Sequence, residues 1–152
     1  MSELKFSLPK VMESERLRLR AFTPDDIQAN YLAWLNDPLV VRFSNQRFHK
    51  HTEDSCRQYL GNFTHTENRF LAIEDKLSLE LMGTLTMYIN LYHQTADVGI
   101  LIGNTNHWGK GVGYEAFSLA VETLLKNKLR KVTAGCMACN LGMVRVMEKC
   151  GM

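Results

Sequence analysis

The chain has 152 residues, 45% of them hydrophobic and 22% charged, which is the size and composition of one globular domain. A formal net charge of +2, with no block of Lys or Arg, argues against nucleic acid as a partner. No apolar run reaches the ~20 residues of a membrane span, and the opening MSELKFSLPKVM lacks the apolar stretch of a secretory signal, so the expectation is a cytoplasmic protein with no membrane partner.

Residues 1–14 read as a flexible N-terminal arm, and residues 15–152 as a single domain. In ERLRLRAF, Leu17 and Leu19 alternate with Arg16, Arg18 and Arg20, the pattern of a half-exposed strand. Thr23 then caps a helix with Pro24 at its first position and Asp25 and Asp26 in its first turn. Ile27, Tyr31 and Trp34 give that helix one inward face, and Asp37-Pro38 ends it. Thr52 caps a second helix whose apolar face is Cys56, Tyr59, Leu60 and Phe63. RFLAIE and LMGTLTMYINLY follow as a strand pair, and the nearly all-apolar ADVGILIG as a central strand. Phe117, Ala120, Val121, Leu124 and Leu125 mark the buried face of a helix reaching about Leu129. KVTAGCMA reads as one more strand, residues 140–149 as a last helix, and Gly151 as its glycine cap. The predicted order β-α-α-β-β-β-α-β-α makes a mixed α/β domain, antiparallel in its first half, with a right-handed β-α-β crossover over residues 96–138.

Cys136 and Cys139 form an isolated C-x-x-C. No further ligands stand at zinc-site spacing, so these read as buried free thiols, with no metal site. The segment HWGKGVGYEAF carries more chemistry. Gly109, Gly111 and Gly113 stand between a strand and a helix. Bare backbone admits close approach of a ligand, and converging N–H groups at a helix N-terminus favour a phosphate. The loop is not a P-loop, because Val112 follows Gly111 where Lys-Ser/Thr is needed. Nor is it a dinucleotide turn, since ten residues lie between Ile102 and Gly113 and no acid ends the next strand. By themselves the glycines leave two readings open, a phosphate cradle or a plain turn.

WGKGVGYEAF after ADVGILIG, followed by CNLGMVRVMEKCGM, resembles the GNAT superfamily of N-acetyltransferases, and within it the branch similar to the RimJ/RimL ribosomal-protein acetyltransferases. ERLRLRAFTPDD and LNDPLVVRFS resemble that branch's opening strand, cap and first inter-helix segment. The resemblance implies a GNAT-like fold and acetyl-CoA as co-substrate. It places the pyrophosphate on Trp108, Gly109, Lys110, Gly111, Val112 and Gly113, with Trp108 replacing the family's Gln or Arg. It lays the pantetheine amides along the edge of Ile100, Leu101 and Ile102, where the family's sheet splays, and adds Asn140 as a pantetheine ligand. Asn140 serves equally as a simple helix cap.

The implied reaction is direct attack of a primary amine on the thioester, which needs a proton acceptor for the amine. Asp97, at the start of the strand leading to the loop, is the candidate base; a solvent-facing strand-end acid is its plain alternative. Glu115 is a weaker candidate, explained already by helix-dipole chemistry. The family's Ser or Tyr proton donor on the last helix falls here on Met143 or Met147, which donate nothing. Of the five histidines, His93 is the first to test. The acceptor is a small-molecule or peptide amine, shaped in part by Phe43, Ser44 and Asn45. The chain also stops where the family's last two strands begin, which implies dimerisation or marginal stability through an uncovered edge. A non-catalytic acyl-CoA-binding or scaffold domain of the same fold is the alternative, favoured by Met143 and Met147.

Overall fold

The computed structural model describes residues 6–152. One six-stranded sheet runs in chain order, β1 (Met12–Glu13), β2 (Leu17–Ala21), β3 (Arg69–Asp75), β4 (Leu81–Asn90), β5 (Thr95–Ile102) and β6 (Lys131–Thr133). All neighbours are antiparallel except β5 and β6, which are parallel. This is the mixed α/β architecture expected, and β5 and β6 are joined through α4 (Val112–Lys126).

Each sheet face carries its own core. Leu17, Leu19, Leu71, Ile73, Leu85, Met87 and Val98 pack with Phe117, Ala120 and Leu124 of α4. On the other face Phe70 and Ala72 pack against the first helical rod and α3 (Glu53–Gly61). That rod is α1 (Pro24–Asp26), a π-helical stretch (Ile27–Tyr31) and α2 (Leu32–Leu35). The caps fall where the sequence puts them. The Asp26 carboxylate accepts the Thr23 N–H at 2.8 Å, and Thr52 and Ser55 form a reciprocal box at the start of α3. At the end of α5 (Leu141–Lys149), Gly151 is left-handed (φ 85°), and its N–H and that of Met152 return to Glu148 and Met147.

Two expectations need correction. Part of the predicted arm is built into the domain: Met12–Glu13 pairs with β2, and Leu8 and Met12 are buried. Residues 1–5 of that arm lie outside the described residues. The half-exposed alternation of β2 is as expected, and Arg18 and Arg20 on its open face are ion-paired. Arg20 Nε donates to Glu74 at 2.9 Å and its guanidinium grips Asp26 at 2.8 Å, while Arg18 reaches Glu74 at 3.5 Å. Glu74 and Asp26 are buried, so the arginines partner charges that the second core would otherwise leave bare. Finally, the last strand stops at Thr133 instead of Ala138, and Cys136 and Cys139 beyond it are exposed, not buried. The ladder ends where Thr133 Oγ1 turns to Asp97 Oδ1 at 2.8 Å, and Gly135 follows with no side chain to extend the packing.

Candidate active site

The early end of β6 opens the sheet. β5 and β6 pair only from Thr95↔Lys131 to Asp97↔Thr133, and the rest of β5 faces a gap. Antiparallel alternation fixes what it presents there. Gly103 N–H bonds Met82 on the β4 side, and Thr84 faces Leu101. By that alternation the main chain of Leu101 serves the β4 ladder, whereas Ile100 and Ile102 turn theirs to the gap. The Ile102 carbonyl is taken by the Trp108 indole N–H at 2.6 Å. Ile100 is left with a free main-chain edge. Of the three residues expected along this edge, Leu101 contributes its side chain instead, to the cavity described below.

The glycine loop lies at the end of the gap. Gly109 (φ 74°) and Gly111 (φ 79°) are left-handed, and Gly111 is the N-cap of α4. No N–H from Gly109 to Tyr114 has an acceptor among the described residues. A Cβ on Gly113 would sit 3.4 Å from Ile100 Cδ1, so the first turn of α4 lies directly on β5. Trp108, expected to touch a ligand, pins the loop to β5 through its indole N–H. Lys110 is exposed, and its carbonyl accepts from Arg16 at 3.1 Å. Arg16 is held in turn by Glu115, Nε to Oε1 at 2.7 Å and N–H to Oε2 at 2.9 Å, with Ser14 as a further donor. Burial pushes the Glu115 carboxyl up, but hydrogen bonds from Ser14 and Arg16 outweigh it and hold the group below its ordinary range. Glu115 is therefore a clamp between β2 and the loop. Asn140 Oδ1 caps α5 by accepting the Met143 N–H at 3.2 Å, which leaves its amide N–H groups without an acceptor among the described residues.

On the opposite face of β5 is a cavity of about 540 Å3. Its floor is Phe70, Thr84, Thr86, Gly99 and Leu101, and its helical wall is Tyr31, Cys56 and Tyr59. The mouth comes from the segment after the first rod, with Ser44, Gln46, His49, Lys50 and His51. Ile100 lines the cavity as well, so the cavity meets the open strand edge. Burial raises the Tyr31 phenol, burial and the 2.8 Å contact with Tyr88 raise Tyr59, and burial raises the Cys56 thiol, so all three stay neutral near pH 7.

Asp97, the expected base, lies on β5 opposite Tyr88 and accepts from Thr133, outside this lining. His93 is in the β4–β5 turn and also outside it, while the rings of His49 and His51 line it 6.3 Å apart. Ser44 belongs to the mouth; Phe43 and Asn45 do not. The sequence signal for His49 and His51 was only their place in the loop between two capped helices.

A splayed mixed sheet with a bare loop at the mouth of the gap defines an acetyltransferase-type domain. The family description "acetyltransferase (GNAT) domain" matches residues 16–152, and the chain belongs to that family. Among curated proteins it is 32% identical over 143 residues to the probable N-acetyltransferase YjcK of Bacillus subtilis, covering 90% of this chain and 72% of that protein. It is 23% identical over 150 residues to an uncharacterized protein of Methanocaldococcus jannaschii, covering 96% of this chain but only 30% of that longer protein. Among solved structures, spermidine N-acetyltransferase from Vibrio cholerae in complex with CoA and spermine superposes with a TM-score of 0.80 at 22% identity, covering 91% of this chain and 81% of that one.

Proposed function

We propose that the protein is an acetyl-CoA-dependent N-acetyltransferase acting on a primary amine by direct attack. The observation that carries this is the run of partnerless N–H groups from Gly109 to Tyr114 at the end of an open β5 edge. Those groups suit a diphosphate, with the α4 dipole behind them and the Arg16 guanidinium beside Lys110. The free edge of Ile100 suits pantetheine amides, and the Asn140 amide N–H groups suit a carbonyl on the same arm. CoA as ligand is supported by the CoA complex of the Vibrio cholerae neighbour.

Acetyl-CoA supplies an activated thioester. The acceptor nitrogen, neutral, lends its lone pair to the acetyl carbon, the C–S bond breaks, and the amine's surplus proton leaves to a base. The Ile100 N–H faces the gap where the thioester carbonyl would lie, and it is the proposed oxyanion donor. Two base assignments are distinguished by position: Asp97 on β5, beside Thr133, and the His49–His51 pair at the cavity mouth. Asp97→Asn alone abolishing turnover selects the first; loss only in His49→Asn or His51→Asn selects the second. Met143 and Met147 on α5 offer no proton to the leaving thiolate, which departs unassisted in this scheme.

The test is thiol release from acetyl-CoA across a panel of primary amines, beside calorimetric binding of CoA. Binding with amine-dependent release is expected. Binding without release for any amine favours a non-catalytic acyl-CoA-binding domain, and no binding removes both readings.

A further inference from the structure

We propose that the acceptor amine carries an anionic group, a carboxylate or a phosphate, and that Lys50 with Arg47 and Arg42 holds it at the cavity mouth. This rests on the acetyltransferase reading and names the substrate class for the same site. The first observation is the charge of the walls. Among the described residues, neither Asp nor Glu lines the cavity. A second recess of about 730 Å3, which shares Leu35, His49 and Lys50 with it and adds Arg42, Arg47 and Phe48, likewise has no acid among the described residues of its lining.

The second observation is that these cations have no carboxylate of their own. Among the described residues no Asp or Glu forms an ion pair with Arg42, Arg47 or Lys50. Arg42 is stacked 4.6 Å over Phe43 and 5.9 Å over Trp108, and Arg47 lies 4.1 Å over Phe48 with a hydrogen bond to the Ser44 carbonyl at 2.7 Å. Both guanidinium groups therefore rest on aromatic rings without being neutralised. A planar guanidinium fork matches a carboxylate or phosphate and gives a second cation nothing to bind.

The third is the fate of the nearby acids. Glu53 is paired with Arg57 and Gln28, Glu74 with Arg18 and Arg20, and Asp97 takes the Thr133 hydroxyl; Asp37, which accepts the Leu39 N–H at 3.0 Å, and Asp54 carry no cation among the described residues but are exposed and line neither recess. The neutral phenols of Tyr31 and Tyr59 and the neutral Cys56 thiol add no negative charge. A polyamine or a multiply charged aminoglycoside would bring several ammonium groups against Lys50 and the arginines, with no carboxylate in either lining to receive them, which is repulsion built against that class. An amine with one anionic substituent meets complementary charge at the mouth and presents its nitrogen to the uncharged interior at Gly99–Leu101. A cavity of about 540 Å3 accommodates a molecule of sugar size.

The experiment is calorimetric titration of the CoA-saturated protein with glucosamine 6-phosphate, glucosamine and spermidine. The phosphate-bearing sugar is expected to bind at least tenfold more tightly than glucosamine, and spermidine more weakly than either. In the exposed double variant Lys50→Gln/Arg47→Gln the phosphate preference should fall to less than threefold, with CoA affinity unchanged. Equal binding of the two sugars, no binding of either, tighter binding of spermidine, or a preference that survives in the double variant would each overturn the inference. CoA titrated first separates the two ideas: no CoA affinity removes the acetyltransferase reading itself, whereas CoA affinity without phosphate preference removes only the acceptor class.

Discussion

At the scale of single residues, the site depends on backbone more than on side chains. Gly111 holds φ 79° at the N-cap of α4, a conformation costing an ordinary L-residue about 1–2 kcal/mol. Gly111→Val should therefore weaken CoA binding by tenfold or more while lowering Tm by only a few degrees, read by calorimetry on one protein sample. A CoA affinity equal to that of the parent protein would show that the loop does not hold the diphosphate. The two neighbouring β5 residues offer a sharper contrast. Ile100 turns its N–H to the gap, whereas Leu101 faces Thr84 across the β4 ladder. Ile100→Pro removes a donor the fold does not use, so turnover should drop by about a hundredfold with a modest Tm change. Leu101→Pro breaks a ladder bond and should cost about 3 kcal/mol or more of stability. If the two variants lose stability equally, the register assigned to this edge is wrong.

At the scale of elements, what could be read in advance was whatever repeats or is capped locally. Thr23-Pro24, the Thr52 cap, and Phe117, Ala120 and Leu124 on α4 all concern residues a few positions apart, and they fell where expected, whereas Leu125, expected on the same buried face, is exposed and α4 ends at Lys126. The glycine loop was legible for the same reason. His49, His51 and Lys50 were not, because the segment after the first rod has no period and its role is set by Tyr31, Tyr59 and Thr86 from three other elements. The outcome for Cys136 and Cys139 depended on where β6 stops, which is decided by a tertiary contact, Thr133 to Asp97. Elements are also joined by ion pairs whose partners the alternation of β2 does not reveal. Asp26 feels burial pushing its carboxyl up, yet Arg20 and the Thr23 backbone bring it below the ordinary 3.8, and Glu115 ends below 4.5 in the same way. Both folded values are depressed, so their contribution is complete above the unfolded values and is lost as pH falls through the folded ones. Thermal stability should be flat from pH 7 to about 5 and fall steeply below about 4, with a shallower fall in Asp26→Asn. An identical slope in that variant would show that the Arg20–Asp26 pair does not sense acid. Removing the clamp with Glu115→Ala takes three donors' partner away and should cost about 2 kcal/mol, a Tm drop of roughly 4–8 °C for a chain of this size.

At the scale of the whole molecule, β1 to β5 and their helices form one continuous ladder, while β6 and α5 are tied to it by three register pairs and by packing on α4. The gap between these two parts is where the proposed CoA would lie, touching β5 on one side, the loop at one end, and Asn140 of α5 on the other. A ligand seated there would do what the missing ladder does not, joining the weakly attached part to the rest. Binding to the native state alone stabilises by about 2.7 kcal/mol at a free ligand concentration a hundredfold above Kd, which corresponds to a Tm rise of roughly 5–10 °C. The rise should be accompanied by slower amide exchange concentrated in residues 131–149 and 109–114, because local opening of β6 and α5 is the low-energy fluctuation that the ligand suppresses. Exchange slowed evenly over the β3–β4 hairpin and not at these segments would place the ligand elsewhere on the fold, and with it the acceptor cavity's relation to the thioester would fail.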